Sequence, residues 1–253
     1  MDLQLKDKVA LITGSTKGIG RRIAEVLAAE GCHLGICARN QADVEQAVAE
    51  LSELGVKVVG RVADASDLSS VASWVNDCAS ELGGIDVFVS NVSAGNLPST
   101  PEGWRGSFEA DMLGTWNGVQ HVLPWLEKST SASIIVISST AALEAFAGAV
   151  PYSAVKAALI NYAGNLSNEL ACKNIRVNVV SPGPIFIKGG AWDDIKTAMP
   201  EIYDGAVAQI PMGRMGDATE VATQVALLAS PVAGFTTGAN IVIDGGFTKR
   251  IQF

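Results

Sequence analysis

Tyr152 and Lys156, in the stretch Tyr152-Ser-Ala-Val-Lys156, set a phenol and an ammonium one helical turn apart. The run that follows, Ala157-Ala158-Leu159-Ile160, favours a helix, so both side chains project from one face. A neighbouring cation favours the ionised form of a phenol, whose unperturbed pKa is about 10, and so suits it to proton transfer near neutral pH. The same spacing arises by chance on amphipathic helices, and the pair needs company before it reads as an acid/base device.

That company is Thr13-Gly14-Ser15-Thr16-Lys17-Gly18-Ile19-Gly20. It follows the apolar run Val9-Ala10-Leu11-Ile12, suited to a buried parallel strand, and precedes a helical segment from Arg21 to Ala29. Strand, glycine-rich turn and helix start make a phosphate cradle. Backbone N–H groups and the positive end of the helix dipole face the anion, and missing side chains allow close approach. A glycine cluster could equally be a tight turn, and the spacing departs from GxGxxG by placing three residues between the first two glycines.

With both motifs in hand, the chain resembles the classical short-chain dehydrogenase/reductase family. The likeness runs through Thr13 to Gly20, Asp64, Asn91, Ser138-Ser139, Tyr152 to Lys156, Ser181-Pro182-Gly183-Pro184-Ile185 and Ile243-Asp244-Gly245-Gly246. Ser139 stands thirteen residues before Tyr152, as the family's catalytic serine does. The resemblance implies that Ser139 holds a substrate carbonyl oxygen and that Tyr152 donates a proton to it. Lys156 then binds the nicotinamide ribose and favours the ionised phenol. Gly14, Ser15, Thr16, Lys17, Gly18, Ile19, Gly20, Asp64, Ala65, Asn91, Pro182, Gly183 and Ile185 become expected cofactor contacts, Asp64 at the adenine.

Cofactor choice rests on two cations and a missing acid. Where NAD-preferring relatives carry a carboxylate at the end of the second strand, this chain has Ala38 followed by Arg39, with Lys17 at the same edge. Arg39 can make charge-assisted bonds to a 2′-phosphate, so NADP(H) is expected to be preferred, with NAD(H) possible. Both cations could instead be solvated surface charges. Three departures from the family stand out. Asn91 is followed by Val92-Ser93, with a glycine only at Gly95; Asp111 replaces a helix asparagine that supports a water-linked proton path to the lysine; and Ile187 stands where many relatives carry threonine. Asp111 can substitute if its backbone carbonyl is the main contact, whereas a role for the side chain would alter the network.

The positioning elements alternate strand and helix, which reads as one α/β domain over residues 1–253 built on a doubly wound parallel sheet of about seven strands. Strands are expected near 8–13, 33–38, 56–62, 85–90, 133–138, 175–180 and 240–243. Helices are expected near 18–30, 41–54, 67–82, 103–127, 151–171 and 217–230. The long connection within 184–216 is the expected substrate lid, functional or partly helical. Its Trp192, Ile195, Met199, Ile202, Tyr203 and Ile210 suit a hydrophobic ketone or acyl chain, but helix packing explains the same spacing.

Composition agrees with an enzyme. At 253 residues and 48% hydrophobic content the chain can bury a large core. A net charge of −8 argues against nucleic acid, and the broken apolar runs and mixed-charge N-terminus argue against a membrane span or secretory signal, pointing to a soluble cytoplasmic protein. Cys32, Cys37, Cys78 and Cys172 lack CxxC spacing and His33 and His121 stand apart, a pattern of incidental thiols and no metal site. The expected function is NADPH-dependent reduction of a ketone, such as a 3-oxoacyl thioester, to a secondary alcohol. The alternatives are alcohol oxidation and a catalytically weakened regulatory subunit. The resemblance further implies a homotetramer acting on a small carbonyl or alcohol.

Overall fold

Short β-branched runs alternate with amphipathic helices along the chain, and the computed structural model, which describes residues 1–145 and 148–251, converts each run into a strand. Strand β1 (Val9–Thr13) turns into α1 (Gly18–Ala29), followed by β2 (His33–Ala38), α2 (Gln41–Ser52), β3 (Val58–Val62), α3 (Leu68–Leu82) and β4 (Val87–Ser90). The second half holds α4 (Pro101–Ser107), a π-helical segment over Phe108–Leu113, α5 (Gly114–Leu126), β5 (Ser133–Ile137), α6 (Pro151–Leu170) and β6 (Arg176–Pro182). The chain then forms β7 (Ile185–Phe186), α7 (Ala191–Ala198), α8 (Pro200–Ala208), β8 (Gly216–Asp217), α9 (Ala218–Ala229) and β9 (Asn240–Ile243).

Seven strands form one parallel sheet in the order β3-β2-β1-β4-β5-β6-β9. The order reverses between β1 and β4, so the carboxyl ends of these neighbours open a crevice where ligands of doubly wound sheets bind. Alternation along the strands fills both faces. Ala10 and Ile12 of β1 and Ile135 of β5 pack with Ile23, Leu27, Val221 and Val225 of α1 and α9. Leu11, Ile134 and Val136 pack on the other side with Trp74, Val119 and Leu159 of α3, α5 and α6. Burial at both faces explains why the strands read as continuous apolar runs.

The expected strand positions hold, and two helical regions differ. The helix expected at 103–127 starts at Pro101, with Thr100 accepting from Gly103 N at 3.2 Å, and is interrupted by the π-helical turn before α5. π-turns commonly mark functional positions, and this one carries Asp111. The long connection is ordered as β7, α7, α8 and β8, with β7 and β8 pairing in parallel as a separate ribbon. Asp67 is the N-cap of α3, its side chain accepting from Ser69 N at 2.9 Å and Ser70 N at 3.2 Å.

Candidate cofactor and active site

The cradle between β1 and α1 is built from missing side chains. At Gly20 a methyl group would collide with the Gly14 carbonyl and the Asn91 amide, so only glycine lets helix, turn and β4 meet there. Asn91 Nδ2 donates to Thr13 O at 3.0 Å and Gly14 O at 3.1 Å, and Thr13 Oγ1 accepts from Asn91 N at 2.9 Å. Asn91 thus pins the turn. No side chain caps α1 at Lys17, which leaves the first N–H groups of a 12-residue helix to an anion. The cradle fits a pyrophosphate. Ser15, expected at the cofactor, faces inward: its N donates to Cys37 O at 3.1 Å and its hydroxyl to Ile12 O at 2.9 Å. It ties β1 to β2.

Beyond the cradle lies a cavity of about 710 Å³ that brings together Gly14, Thr16, Lys17, Arg39, Asp64, Ala65 and Asn91 from separate elements. Its volume is within the range of about 300–1,000 Å³ usual for ligand sites. Arg39 is exposed at the end of β2 and enters no ion pair among the described residues. Asp64 Oδ1 accepts from Ser66 N at 2.9 Å and Ser66 Oγ at 2.7 Å, and these bonds hold its carboxyl below the ordinary value, with the charge of Arg39 adding to the effect. Lys17 is not a free cation, because its Nζ lies 2.6 Å from Asp43 Oδ2. Cys37 also lines the cavity, and burial pushes its thiol up to about 12, so it serves as apolar wall. Burial raises Cys32 and Cys78 to the same value, and Cys172 is exposed.

The catalytic candidates converge through α6. Pro151 starts this helix after an extended Val150, placing Tyr152 in the first turn and Lys156 one turn on. Lys156 Nζ donates to Ile137 O at 3.1 Å, pairs with Asp111 Oδ2 at 3.2 Å and lies 5.8 Å from the centre of the Tyr152 ring. An ammonium has three donors, so one remains for a ribose hydroxyl or water. Ser138 Oγ donates to Lys156 O at 2.9 Å and is structural, as its place at a strand end suggests. Ser139 Oγ accepts from Ala141 N at 3.1 Å and makes no donor bond among the described residues, which leaves its O–H for a substrate oxygen.

Asp111 resolves the question raised by its type. Its backbone carbonyl accepts from Thr115 Oγ1 at 2.6 Å, while its side chain reaches the loop after β4 and Lys156. Oδ1 accepts from Ala94 N at 2.6 Å, and Oδ2 accepts from Ser93 Oγ at 2.9 Å beside Lys156. One buried carboxylate therefore links the loop after β4 to the lysine. Ser93 was legible only as a departure and Ala94 not at all, and both bond to Asp111 of the π-helical segment. The other departures also have places: a methyl at Gly14 would lie 2.9 Å from Val92 Cγ2, and one at Gly18 3.6 Å from Ile187 Cδ1, so two branched side chains border the cradle. Ile19 lies on the core side of α1. Pro182, Gly183 and Ile185 do not line the 710 Å³ cavity; Gly183 N donates to Ile243 O at 2.8 Å and the Ile185 side chain is buried in the core.

Comparison with known proteins agrees with this architecture. A family profile described as enoyl-(acyl carrier protein) reductase matches residues 14–248. The chain is 37% identical to isoepoxydon dehydrogenase of Aspergillus clavatus over 98% of both proteins. It is 32% identical to the 3-oxoacyl-(acyl-carrier-protein) reductase of Vibrio cholerae over 96% of this chain and 98% of that one. Its fold superposes on L-sorbose reductase from Gluconobacter frateurii, complexed with NADPH and L-sorbose, with a TM-score of 0.92 and 28% identity over 99% of this chain and 100% of the other. The cradle, the Tyr152–Lys156 turn and full-length likeness together place this chain in the short-chain dehydrogenase/reductase family of NAD(P)-binding oxidoreductases.

Proposed function

We propose that this protein reduces a ketone to a secondary alcohol with NADPH, a 3-oxoacyl thioester being one candidate substrate. The observation that carries the reaction is the buried Lys156, fixed by Ile137 and Asp111 one turn from Tyr152 while keeping a donor free. The nicotinamide, when bound, supplies the hydride. As negative charge grows on the substrate oxygen, Ser139 steadies it with its uncommitted O–H and Tyr152 transfers a proton to it; prearranged donors act most strongly where charge develops. Arg39 supports the choice of NADPH, since a guanidinium that enters no ion pair among the described residues suits a 2′-phosphate. The NADPH complex of L-sorbose reductase lends the same support.

Ser93 and Ala94 line the cavity with Leu97, and the segment 184–216 serves as the lid, its Phe186, Trp192 and Tyr203 packed edge to face. This apolar cluster favours hydrophobic carbonyl substrates. The alternative, oxidation of an alcohol, uses the same residues in reverse and is favoured by the name of the A. clavatus relative. We further propose a homotetramer, with the fully exposed Phe235 in one contact; a monomeric mass by light scattering would exclude it. No helix among the described residues is long and apolar enough to cross a membrane. The test of function is a panel of ketones, oxoacyl thioesters and alcohols with each cofactor, followed by absorbance of the reduced nicotinamide. Turnover of a ketone with NADPH is expected, and its absence across the panel would defeat the proposal.

A further inference from the structure

The cavity edge near Arg39 carries a charge that the NADPH reading leaves unused. That reading, on which this inference rests, assigns Arg39 to a 2′-phosphate, with Lys17 as a second cation at the same edge. Lys17 is already engaged, its Nζ 2.6 Å from Asp43 Oδ2, and both residues line the cavity with Arg39. Asp43 stands in the first turn of α2, where Asn40 Oδ1 accepts from its backbone N at 3.0 Å. The backbone that carries the carboxylate is therefore fixed. Its side chain is 30% exposed and that of Lys17 76% exposed, so the pair opens to solvent and to an incoming anion at little cost.

We propose that Asp43 is a specificity-determining residue that holds 2′-phosphate selectivity below the level Lys17 and Arg39 would give alone. Its carboxylate acts twice against a phosphate monoester of charge about −1.5 to −2: it competes for the Lys17 ammonium, and it repels the phosphate directly. A ribose 2′-hydroxyl is neutral and meets neither effect. Residue 43 therefore separates the two cofactors without belonging to the cradle or to the catalytic set. An isolated ion pair on a helix surface would have no such selectivity, and this difference makes the two readings separable.

Isothermal titration of the full chain with NADPH, NADH, adenosine 2′,5′-bisphosphate and adenosine 5′-monophosphate tests the assignment. In Asp43→Asn, affinity for NADPH and the bisphosphate is expected to rise about three- to tenfold, with NADH and the monophosphate changing less than about twofold. Asp43→Ser, a second neutral variant that keeps the backbone N–H capped by Asn40, should move the same way, and the gain should shrink when Lys17→Ala is added. Unchanged or lower NADPH affinity in both neutral variants would overturn the role of Asp43. A parent with equal affinity for the two cofactors, converted to NADPH preference by Asp43→Asn, would remove the NADPH reading of the parent and leave Asp43 as the reason. A parent that prefers NADPH and gains nothing would do the reverse.

Discussion

Two lysine–aspartate pairs in this molecule have the same chemistry and different surroundings. Lys17 and Asp43 are 2.6 Å apart, with side chains 76% and 30% exposed; Lys156 and Asp111 are 3.2 Å apart, with side chains 2% and 1% exposed. The shorter pair is the weaker. In water its attraction is screened and each partner has a good alternative, so such pairs contribute about 0–1 kcal/mol. In the buried pair neither charge can turn to solvent, and losing one partner costs about 3–5 kcal/mol because the other is stranded. Environment, rather than distance, makes one pair a yielding surface contact beside the proposed cofactor site and the other a fixed buried contact beside the candidate acid/base residues.

The largest expected effect comes from the residue that the buried pair serves. Tyr152→Phe keeps the ring and removes the proton donor, so turnover should fall about 10²–10⁴-fold with cofactor affinity nearly unchanged. Near-normal turnover on any substrate found by the panel would remove Tyr152 from the mechanism. Lys156→Ala should damage catalysis and cofactor affinity together, and should also lower stability, by up to about 3–5 kcal/mol, by leaving the buried Asp111 carboxylate without its cation. Urea denaturation checks that last part: an unchanged midpoint would mean that the bonds from Ala94 N and Ser93 Oγ suffice for the buried carboxylate.

Asp111→Asn sharpens the contrast more finely. All three groups around this carboxylate are donors, namely Ala94 N, Ser93 Oγ and Lys156 Nζ. An amide presents one acceptor and turns its NH₂ toward a donor, so a stability loss of about 1–3 kcal/mol is expected, with lower turnover. Turnover equal to or above the parent's would show that the family's amide works here and that the carboxylate is incidental. At the exposed end, Arg39→Asp should abolish or reverse the NADPH preference, a change of about tenfold or more, because it exchanges a phosphate donor for a repelling charge. Equal affinities in parent and variant would show that Arg39 is only a solvated cation.

What was legible beforehand follows the same division between local and distant contacts. Strand positions were readable because burial on both faces forces continuous apolar runs such as Ile134-Ile135-Val136-Ile137. Ser139, Tyr152 and Lys156 were readable because their spacing along the chain carries the chemistry. The π-turn at Phe108–Leu113 was not, although it is the segment that carries the buried Asp111. Nor was the inward turn of Ser15, which depends on Ile12 O and on the neighbouring strand at Cys37, or the engagement of Lys17 by Asp43, which depends on how α1 and α2 meet. Side-chain partners set by tertiary structure are the part that periodicity does not encode.

The smallest effect uses a third pair as a gauge of how little an exposed ion pair contributes. Arg214 Nη1 and Nη2 each donate at 2.8 Å to the Glu220 carboxylate, which also accepts from Asp217 N at 2.8 Å as part of the capping box that starts α9. The Arg214 hydrogen bonds, followed by that backbone bond, hold the Glu220 carboxyl down from 4.5 to about 2. Because the folded-state value is depressed, the stabilisation is fully present above the unfolded value near 4.5 and is lost as pH falls through about 2. Both side chains are about half exposed, so solvent screening keeps the contribution small. Glu220→Gln should therefore flatten the decline in stability across that acid window slightly and leave the neutral-pH profile parallel to the parent's. Thermal melts between pH 2 and pH 7 supply the comparison. A loss approaching the cost expected for Lys156→Ala would break the distinction between exposed and buried pairs, since it would show an ion pair open to water contributing as much as one sealed from it.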